Sequence, residues 1–331
     1  MNPKVSILVP VYNVSKYIER CARSLFEQTF RDIEYIFVDD ASLDNSIEIL
    51  KNVLEEYPKR IKQVKIITNP ENLGLATTRN TALDASRGDY IAVVDSDDYV
   101  EINMIEELYN FAILESADIV VSNFEIEYND RSEIVSDNIL DDKEKNLIKT
   151  LTEESSHNLF NKFVKSEFYK LPECRVPDGL NYHEDFYVYT RLAYFASIIK
   201  KIDKVFYHYV FTNNQSITKK INEMHFENTV RLWDLTDKFL IDNNLFERYK
   251  LFLDYPKVNR KIRLMIDTNE FKLRKLYTDI FREEEKRCSH LFSKGEQRFL
   301  WLLRHRLFVT FWIFYKALIL KNFIKKTIKK A

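Results

Sequence analysis

Asp95-Ser96-Asp97-Asp98 places three carboxylates in four residues, directly after the apolar run 90–94. Carboxylates that close repel one another unless a cation or hydrogen-bond donors sit among them. Hard divalent cations take oxygen ligands, and Mg²⁺ in particular is held by one or two carboxylates together with substrate phosphates. Alone, the segment reads equally as a solvated acidic turn. Its position after a strand-like run, and the company described next, favour the ion.

Three further clusters accompany it. Asp39-Asp40-Ala41-Ser42-Leu43-Asp44 follows a second apolar run. One carboxylate there can accept a hydrogen bond from a base N–H such as uracil N3–H, and Ser42 or Asp44 can cap the next helix. Asp44 is assigned the structural role and Asp40 the functional one. In Asn72-Leu73-Gly74-Leu75-Ala76-Thr77-Thr78-Arg79-Asn80, Gly74 suits a tight turn into a helix. Arg79 then lies one turn inside, within reach of a nucleotide or simply at the surface. Glu184-Asp185 opens another helical pattern. An acidic pair there stabilises the helix dipole or supplies a general base to an acceptor hydroxyl.

The elements that must position these groups alternate. Runs 5–10, 33–38, 64–68 and 90–94 read as buried strands, and 15–29, 44–57 and 75–86 as helices. That order predicts an α/β fold with a parallel sheet and helices on both faces. Ligands bind such sheets at the carboxyl ends of the strands, which selects 10–13, 39–44 and 95–98. Farther on, 101–115 is helical, 118–128 strand-like, and 130–154 polar loop with a short helix. Segments 159–169 and 184–196 read as helices and 204–210 as a strand. Beyond 220 every pattern is helical: 222–243, 245–269, 272–292 and 296–319.

Together these segments resemble the family 2 glycosyltransferases, inverting enzymes of the bacterial surface-polysaccharide type. The resemblance rests on Val5-Ser6-Ile7-Leu8-Val9-Pro10-Val11-Tyr12-Asn13, 39–46, 72–80, 88–98 and Glu184-Asp185, in order over 1–220. It implies a GT-A fold, a Rossmann-like, mixed and mainly parallel sheet, followed by an all-helical C-terminal region. Residues 1–220 would form the catalytic domain, with 1–115 binding the sugar nucleotide and 116–220 the acceptor; 221–331 would be the helical region. Asp40 would bind the uracil of a UDP-sugar, with Pro10, Val11 and Tyr12 lining the base pocket and Arg79 beside the nucleotide. Asp95 would approach the ribose, with Ser96 beside it among the donor-binding residues. Asp97, assisted by Asp98, would hold Mn²⁺ or Mg²⁺ on the diphosphate, and Asp185 would be the base with Glu184 its neighbour. The family often has a small residue where Thr77-Thr78 precede Arg79, which leaves the pocket shape there open. His208, near Ser216-Ile217, occupies a region where some glycosyltransferases place an extra metal ligand or a lid; it reads here as a packed strand histidine.

Composition sets the outer limits. The chain has 331 residues, 45% hydrophobic, with a formal net charge of −1, enough for about two domains and a real core. Only four glycines occur, Gly74, Gly88, Gly179 and Gly295, so no glycine-rich phosphate loop can form. Three scattered cysteines argue against a disulfide framework and for a reducing compartment. The run 5–11 leads to no secretory cleavage pattern, and the apolar stretch 307–320 is shorter than the roughly 20 residues of a spanning helix. Residues 286–331 carry twelve Lys/Arg against one acid, Glu296. The apolar 308–320 with the lysines after it predicts an amphipathic contact with the cytoplasmic face of the inner membrane, or else a helix packed on the protein or in a dimer. The expected activity is metal-dependent sugar transfer from a nucleotide-diphospho sugar to a glycan or lipid-linked glycan, with no nucleic-acid partner. The alternatives are a nucleotidyltransferase on a similar sheet and a catalytically silent sugar-nucleotide or membrane-binding scaffold.

Overall fold

The computed structural model describes residues 2–211, 221–268, 270–310 and 313. The chain divides into two compact units, Met1–Asn214 and Gln215–Ala331.

In the first unit, strands β1 (Val5–Val11), β2 (Ile33–Asp39), β3 (Val64–Thr68) and β4 (Tyr90–Val93) alternate with helices α1 (Ile18–Phe26), α2 (Ser46–Glu55) and α3 (Leu75–Ala85). The four strands pair in parallel in the order β3-β2-β1-β4. Every residue of β1 and β2 is buried, as expected of parallel strands covered on both faces. Val5, Ile7, Val9 and Val11 are fully buried in one core cluster with Cys21, Leu25 and Phe37. Burial of each such aliphatic side chain is worth about 2 kcal/mol.

The second half of this unit contains β5 (Tyr99–Val100), α4 (Met104–Leu114), β6 (Ile119–Glu127), β7 (Ser132–Val135), α5 (Lys143–Leu151), β8 (Lys162–Lys165), α6 (Ser166–Tyr169), α7 (Glu184–Phe195) and β9 (Ile199–Val210). The sheet continues from β4 as β8-β6-β9-β5, with β7 on β6. β8 is antiparallel to both β4 and β6, whereas β6 and β9 are parallel across a bulge near Asn123.

Three expectations change. Within 130–154, read as polar loop with a short helix, Ser132–Val135 is the strand β7 on the edge of β6. The segment 159–169, read as one helix, is the strand β8 followed by the single turn α6. Phe160 and Phe163 have helical spacing, but a short apolar run is ambiguous by periodicity alone, and the open edges of β4 and β6 recruit it. Strand β9 starts at Ile199, five residues before the expected 204, because its early residues complete the ladder with β6.

In the second unit, helices α8 (Glu223–Asp242), α9 (Phe246–Asp267), α10 (Phe271–Leu276), α11 (Arg282–Cys288) and α12 (Lys294–Arg304) confirm the helical pattern. The expected helix 272–292 is broken between α10 and α11, where Phe281 has φ 54°. Val258, Ile262, Cys288, Phe292 and Leu300 form a local core. Among the described residues no helix is long and apolar enough to cross a membrane. The apolar tail and its lysines lie mostly outside the described residues, as do Ser216 and Ile217.

Candidate active site

Four chemistry-bearing side chains from three distant segments meet at Arg79. Its guanidinium donates from Nη2 to Asp95 Oδ1 at 3.1 Å and from Nη1 to Glu184 Oε1 at 2.7 Å and to Asp185 Oδ1. Arg79 is buried in α3, Asp95 follows β4, and the two acids form the first turn of α7. Burial disfavours the charged guanidinium, but the three carboxylates outweigh it and hold the Arg79 pKa well above its ordinary value. Burial also raises the Asp95 pKa to about 6 against the pull of Arg79. Burial and repulsion from Asp185 raise that of Glu184, again against Arg79. The Glu184 side chain is 9% exposed and that of Asp185 23%. Asp185 is therefore the more open of the pair, the better placed to meet a substrate hydroxyl.

The acidic turn alternates. Asp95 and Asp97 are partly open, whereas Ser96 and Asp98 are buried. Asp98, expected to assist at the metal, is turned inward. Asp98 is 0% exposed and its two carboxylate oxygens accept from Tyr207 Oη and the Val210 amide, both at 2.7 Å. Asp95 and Asp97 remain as the open pair. Carboxylate oxygens of this kind suit a hard divalent cation.

Asp40 belongs to a neighbouring constellation. It is buried, and its carboxylate accepts from Asn69 Nδ2 (2.8 Å), the Leu73 amide (2.9 Å) and the Gly74 amide (2.8 Å). These bonds clamp the loop that leads into α3. Gly74 has φ 85°, and a Cβ there would meet the Asn181 side chain at 2.5 Å. Only glycine fits this turn without strain. Asn181 Oδ1 in turn accepts the Ala76 amide of the first turn of α3. Thr78 is buried, bonded to Gly74 O and Asn69, so its side chain faces the interior.

Pro10, Val11 and Tyr12, expected to line the base pocket, stand at and just beyond the end of β1. Pro10 and Val11 are buried in β1, and Val11 is part of the core cluster; Tyr12, 43% exposed, is the open one of the three. Asp44 is structural as expected, accepting from the Ser15 and Ser46 amides. His208 is a strand residue held between Glu101 (Nε2, 2.9 Å) and Glu125 (Nδ1, 2.9 Å) and stacked on Tyr99. It could share an ion with Glu125 and Glu127, whose ligand atoms lie within 4.8 Å of one another, but each ring nitrogen already has a carboxylate partner. Sequence reasoning missed Asn181 and Tyr207. Asn181 lay inside the segment that carries the acidic pair; Tyr207 gave no signal beyond a strand aromatic.

A sheet that begins β3-β2-β1-β4 in parallel, with an aspartate turn at the end of β4 and an acidic pair brought to it from α7, defines a sugar-nucleotide transferase fold. The glycosyl transferase family 2 model matches residues 6–170. The EpsH protein of Bacillus subtilis (strain 168) is 33% identical over 259 residues, 76% of this chain and 73% of that protein. The chondroitin synthase of Escherichia coli is 40% identical over 104 residues, covering 31% of this chain and 14% of that one. The chain belongs to glycosyl transferase family 2 and is a glycosyltransferase. Its fold is that of Staphylococcus aureus TarS 1–349, solved with UDP-GlcNAc, at a TM-score of 0.71 and 19% identity over 96% of this chain and 92% of that one. A mannosyltransferase of Pyrobaculum calidifontis, solved with GDP-Man and Mn²⁺, matches at 0.52 and 16% identity, covering 98% and 88%.

Proposed function

We propose that this glycosyltransferase moves a sugar from a UDP-sugar to a hydroxyl of a glycan or lipid-linked glycan, with inversion, in surface-polysaccharide synthesis such as capsule or O-antigen. The observation that carries the reading is the meeting of Arg79, Asp95, Glu184 and Asp185 beside the half-open Asp97. The UDP-GlcNAc complex of the TarS neighbour supports UDP as the nucleotide, and the chondroitin synthase relative supports a polysaccharide product.

In this reading Asp40 keeps one lone pair for the uracil N3–H and Tyr12 covers the base. Asp95 accepts from the ribose. Asp97 would hold Mn²⁺ or Mg²⁺, which would supply positive charge against the departing diphosphate. Asp185 takes the proton of the acceptor hydroxyl as its oxygen bonds to the anomeric carbon. The bond from that carbon to the diphosphate oxygen breaks on the opposite face, so an α-linked donor gives a β-linkage. Arg79 holds the base in place through its bond to Asp185 Oδ1. Outside the catalytic unit, Trp301, Leu307, Val309 and Ile313 are exposed apolar side chains. They support a monotopic contact of the C-terminal region with the cytoplasmic membrane face.

The test is nucleotide release from UDP-sugars with Mn²⁺ and lipid-linked glycan acceptors. UDP is the expected product. Asp185→Asn should keep UDP binding and lose transfer by at least about 10²-fold. Pyrophosphate as product, or normal transfer by that variant, would overturn the reading.

A further inference from the structure

We propose that Tyr207 is a positioning residue for the acidic turn, fixing with Asp98 how Asp95 and Asp97 face the donor; this rests on the donor site proposed above. The turn follows the end of β4 and has no strand partner of its own. Three bonds from β9 hold it. The Asp95 amide donates to Tyr207 Oη at 3.1 Å, and that hydroxyl donates to Asp98 Oδ2 at 2.7 Å. Asp98 Oδ1 accepts the Val210 amide at 2.7 Å, and the Asp98 amide closes the turn on Asp95 O at 3.1 Å. One phenol thus grips the first backbone donor of the turn and the last carboxylate at once.

The ring itself is fixed. Tyr207 is 0% exposed and stacks on Phe160 with centroids 4.2 Å apart and planes 11° from parallel. The hydroxyl therefore sits at the tip of a rigid, packed lever rather than on a mobile side chain. Asp98 could not turn to a metal without leaving the Tyr207 hydroxyl and the Val210 amide without their acceptor, and buried polar groups pay for lost partners. The third carboxylate of the motif is used inward, and this makes the alternation of open and closed residues at 95–98 stable. Asp95 and Asp97 face outward because Ser96 and Asp98 are held inward.

Tyr207→Phe keeps the ring in its stack and removes one oxygen. Phe160→Leu is the control, since it disturbs the stack and leaves every hydrogen bond of the turn. Three quantities are read on the full chain: amide hydrogen exchange across 95–98, the Kd for UDP with Mn²⁺, and Tm. In Tyr207→Phe, exchange across the turn should speed up and UDP·Mn²⁺ should bind about tenfold more weakly. Phe160→Leu should lower Tm by at least as much, yet weaken UDP·Mn²⁺ binding less than Tyr207→Phe does. Unchanged exchange and binding in Tyr207→Phe would overturn the proposal, as would loss of binding in both variants in proportion to Tm. If wild type shows no Mn²⁺-dependent UDP binding, the proposed donor site fails on its own. Exchange across 95–98 then decides the positioning, and an unchanged rate in Tyr207→Phe rejects it.

Discussion

Arg79 is one buried guanidinium among three carboxylates, with partners 16 and more than 100 residues away in sequence. Its place one turn inside a helix was legible from the spacing after Gly74. Its partners were not, because a side chain's long-range contacts depend on how α3 and α7 are brought together. The resemblance put it beside the nucleotide; the structure has it joining Asp95 to Glu184 and Asp185. Arg79→Met should destabilise the protein by about 3–5 kcal/mol, because it leaves buried carboxylates uncompensated. Arg79→Lys should recover little of this, since a point-like ammonium cannot reproduce the fork that serves Asp95 on one nitrogen and the acidic pair on the other. Chemical denaturation of the three proteins checks both statements. Asp98 shows the same limit of a sequence reading. Three aspartates within four residues look alike there, and only burial separates the two partly exposed carboxylates from the inward one.

Among elements, the parallel half of the sheet was plain in the sequence because its strands are long apolar runs between amphipathic helices. β8 was not. It is four residues long, its phenylalanines have helical spacing, and the sheet edges on either side decide its state. β5 was missed for a similar reason, since two residues carry no period. β8 also buries a charge. Lys162 is fully buried, bonded to Asn161 Oδ1 at 2.6 Å and paired with Asp137 at 3.3 Å. Burial lowers its pKa to about 8, against the pull of Asp137. The folded value lies below the unfolded one of about 10.4, so between these pH values the unfolded chain binds more protons and this group's contribution to stability rises with pH. Lys162→Met lacks that contribution. The stability of wild type relative to Lys162→Met should therefore increase from pH 8 to pH 10.4 in parallel urea titrations. A constant difference would mean that Lys162 is not held near neutrality.

At the scale of the whole molecule, the helical character of the described residues after 220 was legible, and the two compact units divide close to that point. The break between α10 and α11 was not, because the left-handed backbone at Phe281 leaves no mark in composition. The charge asymmetry is also a property of the whole chain: a basic end against an otherwise acidic remainder. If that end docks on anionic lipid, a chain cut after Phe292 should leave vesicles containing phosphatidylglycerol in flotation, while the full chain floats with them. Flotation of the shortened chain would contradict the membrane proposal and leave the catalytic reading untouched.

The central claim is a metal-dependent UDP site built on the open carboxylates of the β4 turn. Thermal unfolding of the full chain with UDP, with and without Mn²⁺, tests it most directly, with Asp97→Asn run beside wild type. A ligand at a hundred times its Kd stabilises the folded state by about 2.7 kcal/mol. The account predicts a raised Tm for wild type with UDP and Mn²⁺ together, little change with either alone, and no joint effect in Asp97→Asn. An equal shift without the metal, or no shift under any condition, would contradict it.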